Sequence, residues 1–501
     1  MPAIVAKTHE RVAMILLLLA GVFLPLMQLL YNRSLWTDEA SVAVSIVHRG
    51  FIGLMKPLEY TQVAPILYLW LVKAGSLLIP DSEIGLRLPS YLAYLGTLVL
   101  YFLFLRRHLV SGLAVSVGLA LFIFNRHILF YATEMKQYMF EAFVSMSLVY
   151  IIFSDWDEKR KMVASTLVGC LSVALTISFA MILPAVMLYF LLVRWGRWDR
   201  AYLTGVFSMG LAWLVAFVPY YLAFLHNHPY SQVKQSEFAE GFPPSFTDLK
   251  GYLQYFFGVA SLILRYFGFS GKNLGYQTIP SDWPNFCFMV ALVLLGIWRS
   301  FQRNRLFLLL LVPVLIHVLV SSLHLYPTAN RLFLHAYPII ALLAAMGADA
   351  LLSARWGSRP AFPAVVYAVL LLFGIVFTRM NFPHRLEEAR SVLEGVSRSS
   401  KPGDGIFLYP NSILFYDYYT HIGKFRPTGR VVHSRASPSE GWKASVPDLS
   451  ADNTPFWIFF AHVKPENERG LLDTLGSLDM ILNDSLKDIR ASAYRVVRKG
   501  D

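Results

Sequence analysis

VAMILLLLAGVFLPLMQLLYNRSLWTDEA, residues 12–40, decides the fold. From Val12 to Leu30 the one polar side chain is Gln28. About 18 apolar residues are enough to cross the hydrocarbon core of a bilayer. The run is longer than the apolar core of a signal peptide and ends without a small-residue cleavage site, so it reads as a retained span. Directly after it come Asp38 and Glu39. Two adjacent acids at a membrane surface must be solvated or used.

Similar runs recur along the chain. Hydrophobic residues make up 56% of the sequence and charged residues 15%. A soluble protein needs about 25% charged residues to cover its surface. Length and hydropathy place about eleven spans, near 12–31, 87–105, 109–128, 138–154, 162–177, 179–194, 201–225, 284–300, 306–323, 332–352 and 361–380. The fold class is therefore mostly α, a polytopic transmembrane helix bundle.

The net charge is +12. Its basic residues sit in short alternate loops: Lys7 and Arg11; Arg106 and Arg107; Lys159 to Lys161; Arg194, Arg197 and Arg200; Arg299, Arg303 and Arg305; Arg355 and Arg359. Short basic loops face the cytoplasm and its anionic lipid. The long loops 32–86 and 226–283 and the tail then face outward, with the N-terminus cytoplasmic. The charge needs no nucleic-acid partner, and no such module is visible. Cys170 and Cys287 lie in apolar runs and read as packing residues, neither disulfide-bonded nor metal-bound.

Two outer-surface juxtamembrane helices are expected in the first loop. Ala40–Met55 is amphipathic, with Ala43, Val47, Phe51 and Leu54 on its apolar side; Pro65–Ile79 is apolar but short, and Lys73 interrupts it. The domains are thus 1–380, a membrane domain, and 381–501, a small extracytoplasmic α/β domain. In that tail Leu386–Val396 and Glu466–Leu478 read as helices. Ile406–Tyr409 and Phe456–Phe460 read as buried strands, and Ile489–Val497 as a final edge strand.

Three constellations could carry chemistry. At Trp36-Thr37-Asp38-Glu39-Ala40 a helix start, with Thr37 or Asp38 as N-cap, explains the acids as well as catalysis does. In Tyr131-Ala132-Thr133-Glu134-Met135-Lys136-Gln137-Tyr138 the spacing puts Glu134, Tyr138 and Glu141 on one helical face. A snorkelling side chain accounts for Lys136, and a buried Glu141 needs a partner or a cavity. In His324 to Arg331, with His335 beyond, Arg331 and His335 share a face at the outer end of a span. Interfacial anchoring and anion binding fit it equally, Arg suiting phosphate through its two-pronged hydrogen bonding. Weaker signals are Tyr60-Thr61-Gln62 before the second surface helix, His226-Asn227-His228, which lacks a third metal ligand, and His317, best read as a packing histidine.

Taken in order, these segments resemble the membrane glycosyltransferases of the C superfamily, in the bacterial branch related to protein O-mannosyltransferases and lipid A aminoarabinose transferases. The resemblance rests on Asp38-Glu39, Pro65-Ile66-Leu67-Tyr68, and Ser82-Glu83-Ile84-Gly85-Leu86-Arg87-Leu88-Pro89. It extends to "YATEMKQY" with Lys136 at the family's Arg position, and to "YPTANRLFLHAYP" with His335 at its Phe position. It covers most of residues 12–380. It implies a multi-pass protein of the bacterial inner membrane with a periplasmic C-terminal domain. The implied reaction moves a sugar from a polyprenyl-phosphate donor to a lipid, glycan or protein acceptor, usually with inversion. Asp38 matches the catalytic acid, with Glu39 beside it. Glu134, Lys136, Tyr138, Tyr326, Arg331, His335, Tyr60 and Gln62 would meet the donor phosphate or substrate. The reading requires Asp38 and Arg331 to open into one cavity. Where the aminoarabinose transferases carry Glu-Lys-Pro this chain has Gln62-Val63-Ala64-Pro65, so that lysine is missing. No cofactor is implied beyond the lipid-linked donor, no metal ligands are assigned, and the need for a divalent ion is left open. A transporter or lipid flippase, and a surface-polysaccharide ligase or polymerase, are the rival classes; the sequence shows neither internal repeats nor midplane charges of the transporter kind.

Overall fold

The computed structural model describes residues 8–226, 241–265, 267, 283–328, 330–352, 361–435, 441–449 and 455–499. Lys7, Asn227, His228, Arg355, Arg359 and most of loop 226–283 lie outside the described residues. The chain forms two compact units: Met1–Gln28 with Ala64–Tyr68 and Pro89–Phe382, and Leu29–Val63 with Leu69–Leu88 and Pro383–Asp501. Residues of the first loop thus cluster with the tail, and the late boundary falls at 382/383.

The first unit is helical. Among the described residues seven helices are long and apolar enough to cross a membrane: Thr8–Tyr31, Glu83–His108, Arg200–Phe224, Trp283–Arg303, Arg305–Ser322, Arg331–Leu352 and Pro363–Met380. Gly112–Ile123 and Arg126–Ala132, bent by 59°, make an eighth if they form one span. The bend has a local cause: the Asn125 side chain accepts the Ile128 amide at 3.0 Å, capping a new helix where the old one would continue. The expected spans 138–154 and 179–194 are shorter apolar helices, Tyr138–Ile152 and Phe179–Val193. The expected span 162–177 lies in Glu158–Leu175, whose first turn carries Glu158, Lys159, Arg160 and Lys161.

Tyr337–Leu352 is the centre of this unit. Every residue from Tyr337 to Asp349 is buried, as befits a helix apolar on all sides. Trp283–Arg303 crosses it so closely that a Cβ on Gly296 would meet the Leu343 carbonyl, and one on Gly347 the Leu292 carbonyl. Small residues permit such approach where water supplies no driving force between helices. Asp349 accepts the Val110 and Ser111 amides at 3.0 and 2.9 Å, serving the start of Gly112–Ile123.

The second unit is built on a five-stranded sheet: β1 Gly405–Leu408, β2 Val431–His433, β3 Phe456–Ala461, β4 Met480–Asp488 and β5 Ala491–Arg498, in the order β2-β1-β3-β5-β4. β1 is parallel to β2 and β3; β5 is antiparallel to β3 and β4. The expected helices appear as Ala389–Ser399 and Pro465–Thr474. The expected edge strand 489–497 is corrected: β5 lies between β3 and β4, and β4 forms the edge. Arg495 belongs to the partial alternation that suggested an edge. It interrupts the apolar pattern yet is buried, paired to Asp404 through two 2.8 Å contacts.

In the same unit Thr37–His48 is a helix, packed against Ile413–His421. It was expected as a surface helix reaching Met55. It ends at His48, and Glu39 through Ile46 are all buried. The second expected surface helix is Ile66–Leu78. Lys73, which breaks its apolar pattern, donates to the Ile46 carbonyl at 2.8 Å.

Candidate active site

Thr37–His48 begins after Trp36, whose backbone is extended and whose side chain makes no capping bond. Thr37 and Asp38, the expected caps, sit inside the first turn. The cap comes from the tail. Glu387 accepts from the Thr37 amide at 2.8 Å and the Thr37 hydroxyl at 2.9 Å with one carboxylate oxygen. A carboxylate at a helix N-terminus also meets the positive end of the helix dipole. The other oxygen of Glu387 accepts from His462 Nδ1. His462 is fixed by its backbone too: its amide donates to the Arg490 carbonyl at 3.1 Å, and its carbonyl accepts from Asn411 at 3.0 Å. The bond to Glu387 raises the His462 pKa above the usual histidine value. Burial and Arg490 oppose the shift, and the nearby charge of Asp38 adds to it.

Asp38 and Glu39 differ sharply. Asp38 is half-buried, whereas Glu39 is fully buried. Arg87 donates to both Glu39 oxygens, at 2.8 and 2.5 Å, and to the carbonyls of Arg33 at 2.7 Å and Ser34 at 3.0 Å. The segment "SEIGLRLP" is therefore a double clamp. Its Arg87 holds Glu39, and its Glu83 takes two 2.8 Å bonds from Arg390 and one of 3.1 Å from Tyr419. Tyr419 in turn accepts the Leu35 amide at 2.9 Å. With Ser34 donating to Glu388 at 3.0 Å, the chain leading into Asp38 is held on several sides.

Glu387, Glu388, Arg390 and His462 were missed in the sequence. The first two were findable: adjacent acids just after an apolar run repeat the pattern of Asp38-Glu39. His462 carries no local signal. Tyr60 lies in this unit with a left-handed φ of 53°, and its hydroxyl donates to Asp417 at 2.8 Å. Gln62 Nε2 donates to the Tyr60 carbonyl at 3.4 Å.

The remaining candidates lie in the helical unit. The shared helical face of Glu134, Tyr138 and Glu141 is corrected. Residues 133–136 form a turn, with the Lys136 amide donating to the Glu134 carbonyl at 2.9 Å, and the helix begins at Tyr138. Glu134, Tyr138 and Glu141 are buried, and so is Lys136, which therefore does not snorkel. Arg331 and His335 belong to a tight 3-10 turn, Asn330–Ala336, preceding the central helix. Arg331 is half-buried and His335 fully buried, so the two do not share an open face. His335 stacks on His317, centroids 5.2 Å apart and planes 6° apart, with Tyr326 edge-on to His317 at 5.4 Å. His317 packs as expected, buried, with Nε2 3.2 Å from the Pro327 carbonyl. Among the described residues no group of three or more His, Cys, Asp or Glu is placed to hold a metal ion.

The arrangement defines a class by its fold: a polytopic helical unit of apolar spans, and a small α/β unit that holds an acid at a fixed helix start. Among solved structures the chain is similar to ArnT from Cupriavidus metallidurans bound to undecaprenyl phosphate. The TM-score is 0.59 and the identity 14%, over 96% of this chain and 97% of that one. The apo form of that ArnT also matches, at TM-score 0.43 and 14% identity over the same shares of the two chains. The arabinofuranosyltransferase AftD from Mycobacteria matches at TM-score 0.39 and 13% identity, over 97% of this chain and 40% of that one. At such identities the likeness is one of fold. No protein-family model and no curated protein matches the sequence.

Proposed function

We propose that the protein is a membrane glycosyltransferase, moving a sugar from a polyprenyl-phosphate-linked donor to an acceptor hydroxyl at the outer face of a bacterial inner membrane. Asp38 is the general base. Its carboxylate takes the hydroxyl proton as the acceptor oxygen bonds to the anomeric carbon. The sugar–phosphate bond breaks on the opposite side, its electron pair leaving with the phosphate, so the configuration inverts. The observation that carries the reading is Asp38 itself: a half-buried acid, on a helix start fixed by Glu387, in a chain that shares its fold with a protein crystallised on undecaprenyl phosphate. A base must be fixed within hydrogen-bond reach of the proton it takes. Glu39, saturated by Arg87, positions rather than reacts. Arg331 and Lys136 are assigned to the phosphate, since fixed positive charge favours its departure. The assignment of residues 1–380 to the membrane and 381–501 to the periplasm belongs to the same proposal.

The test uses the purified protein in nanodiscs with a bacterial lipid extract containing polyprenyl-phosphate sugars, following released polyprenyl phosphate by mass spectrometry. Wild-type protein should release it in the presence of acceptor. Asp38→Asn should fold, bind undecaprenyl phosphate and release almost none. Full activity in a folded Asp38→Asn protein removes Asp38 as the base.

A further inference from the structure

The Glu387–His462 pair does more than cap a helix. In the second unit a cleft of about 930 Å³ runs along β3, β4, β5 and the helix Pro465–Thr474, and His462 lines it. The side chain of His462 is 40% exposed, and its Nε2 has no partner among the described residues. One nitrogen is committed to Glu387, and the ring is among the residues that line the cleft.

The charges around the cleft are unequal in availability. Lys464, Arg469 and Arg490 line it and form no ion pair among the described residues. Two of the lining acids are engaged within the protein. Glu468 accepts from Ser492 at 2.7 Å and Tyr494 at 2.8 Å; Asp488 accepts from Arg385 and Ser391, each at 2.8 Å. Asp473 is the remaining lining acid. The backbone adds a second sign. His462 and Arg490, which share a hydrogen bond, both adopt left-handed conformations, φ 54° and 50°. Non-glycine residues rarely do so, and such strain concentrates where a side chain must be aimed.

We propose that His462 is an anion-contacting residue of the site, its Nε2 donating to a phosphate or carboxylate oxygen of a substrate seated in this cleft. The inference rests on the reading of Asp38 as the reacting base, and it deepens that reading by giving the substrate an oxyanion contact at a residue that feels the charge of Asp38. A ring that donates from both nitrogens is an imidazolium, and a charge-assisted bond is about twice as strong as a neutral one. The groups that set its charge are Glu387 and Asp38, which favour it, and Arg490, which opposes it. Binding should therefore weaken as pH rises through the His462 pKa.

Two soluble-domain-independent probes distinguish the source of the oxyanion: undecaprenyl phosphate for a donor, and an oligosaccharide of glucuronic acid for an acidic acceptor. Affinity of the full-length protein for each is measured across neutral pH, with His462→Gln and Glu387→Gln in parallel. For one probe, wild-type affinity should fall on the order of tenfold with rising pH, the loss of one charged hydrogen bond. His462→Gln should bind weakly throughout, and Glu387→Gln should show the fall at lower pH. An effect confined to undecaprenyl phosphate places the donor phosphate at His462, and one confined to the acidic sugar places the acceptor there. If both probes bind His462→Gln as tightly as wild type, the proposal is overturned. If that variant does not fold, a wild-type affinity for both probes that does not fall with pH overturns it equally. Asp38→Asn keeps the two ideas separate, since it should lose transfer yet retain His462-dependent binding in mild acid, with the fall in affinity moved to somewhat lower pH.

Discussion

Two pairs of adjacent acids follow apolar helices in this chain: Asp38-Glu39 after Thr8–Tyr31, and Glu387-Glu388 after Ala361–Asn381. Both pairs end up in the second unit, and each divides its labour. Glu39 is sealed and held by Arg87, while Asp38 is only half-buried. Glu388 is held by Arg385 and Ser34, while Glu387 joins Thr37 to His462. In each pair the second acid is held by an arginine and ties down the chain. Adjacent carboxylates are thus no evidence of a paired acid and base; burial and hydrogen-bond partners set the two members of each pair apart.

The contrast breaks most directly at the first pair. Asp38→Asn should lower transfer by roughly 10²–10⁴, the usual share of a general base, while thermal unfolding hardly moves. Glu39→Gln should do the reverse in kind. It leaves Arg87 buried without its counter-charge, which costs roughly 3–5 kcal/mol. Unfolding temperature and yield of folded protein report that loss, and Glu39→Gln with Arg87→Met should recover part of it. A stable Glu39→Gln with no transfer would reverse the two assignments.

The sequence disclosed these pairs unevenly, for physical reasons. Hydropathy integrates over many residues, so the long apolar helices were legible, and the acids after the first of them stood out by their place. The partners of those acids were not. Thr37 and Glu387 stand 350 residues apart, and Ser34 and Glu388 354. Only the folded unit brings them together. Burial can also disguise pattern. The partial alternation of β5 suggested an edge strand, yet its Arg495 is buried against Asp404, which nothing local in the sequence announces. The helix face assigned to Glu134 failed because spacing presumes a helix, and residues 133–136 are a turn.

At the second pair the effect should be smaller and depend on pH. Glu387→Gln weakens a cap, a loss of about 0.5–2 kcal/mol, and removes the charge that favours protonated His462. That group has a raised folded-state pKa, so its stabilisation is complete below the unfolded value of 6.5 and is lost as pH rises through the folded value. The gap in unfolding temperature between wild type and Glu387→Gln should therefore be widest in mild acid and narrow above neutrality to the contribution of the cap alone. A gap independent of pH would show that the imidazole and the carboxylate do not interact in solution.

The smallest effect belongs at the rim of the same network. Asp488 pairs with Arg385 at 2.8 Å, with side chains 27% and 32% exposed. Burial pushes the Asp488 carboxyl up, but the bonds from Ser391, the Ile489 amide and Arg385 outweigh it and leave the pKa below the usual value. A depressed carboxyl stabilises above its unfolded pKa and loses that contribution as pH falls through the folded one. Asp488→Asn should therefore cost at most about 1 kcal/mol at neutral pH, as partly exposed pairs do, and less still in acid. Salt should shrink the difference further, whereas the sealed Glu39–Arg87 pair should be nearly indifferent to it. Measuring both variants in low and high salt therefore tests whether burial, rather than the mere presence of a cation, separates the acids that hold this unit together from those at its edge.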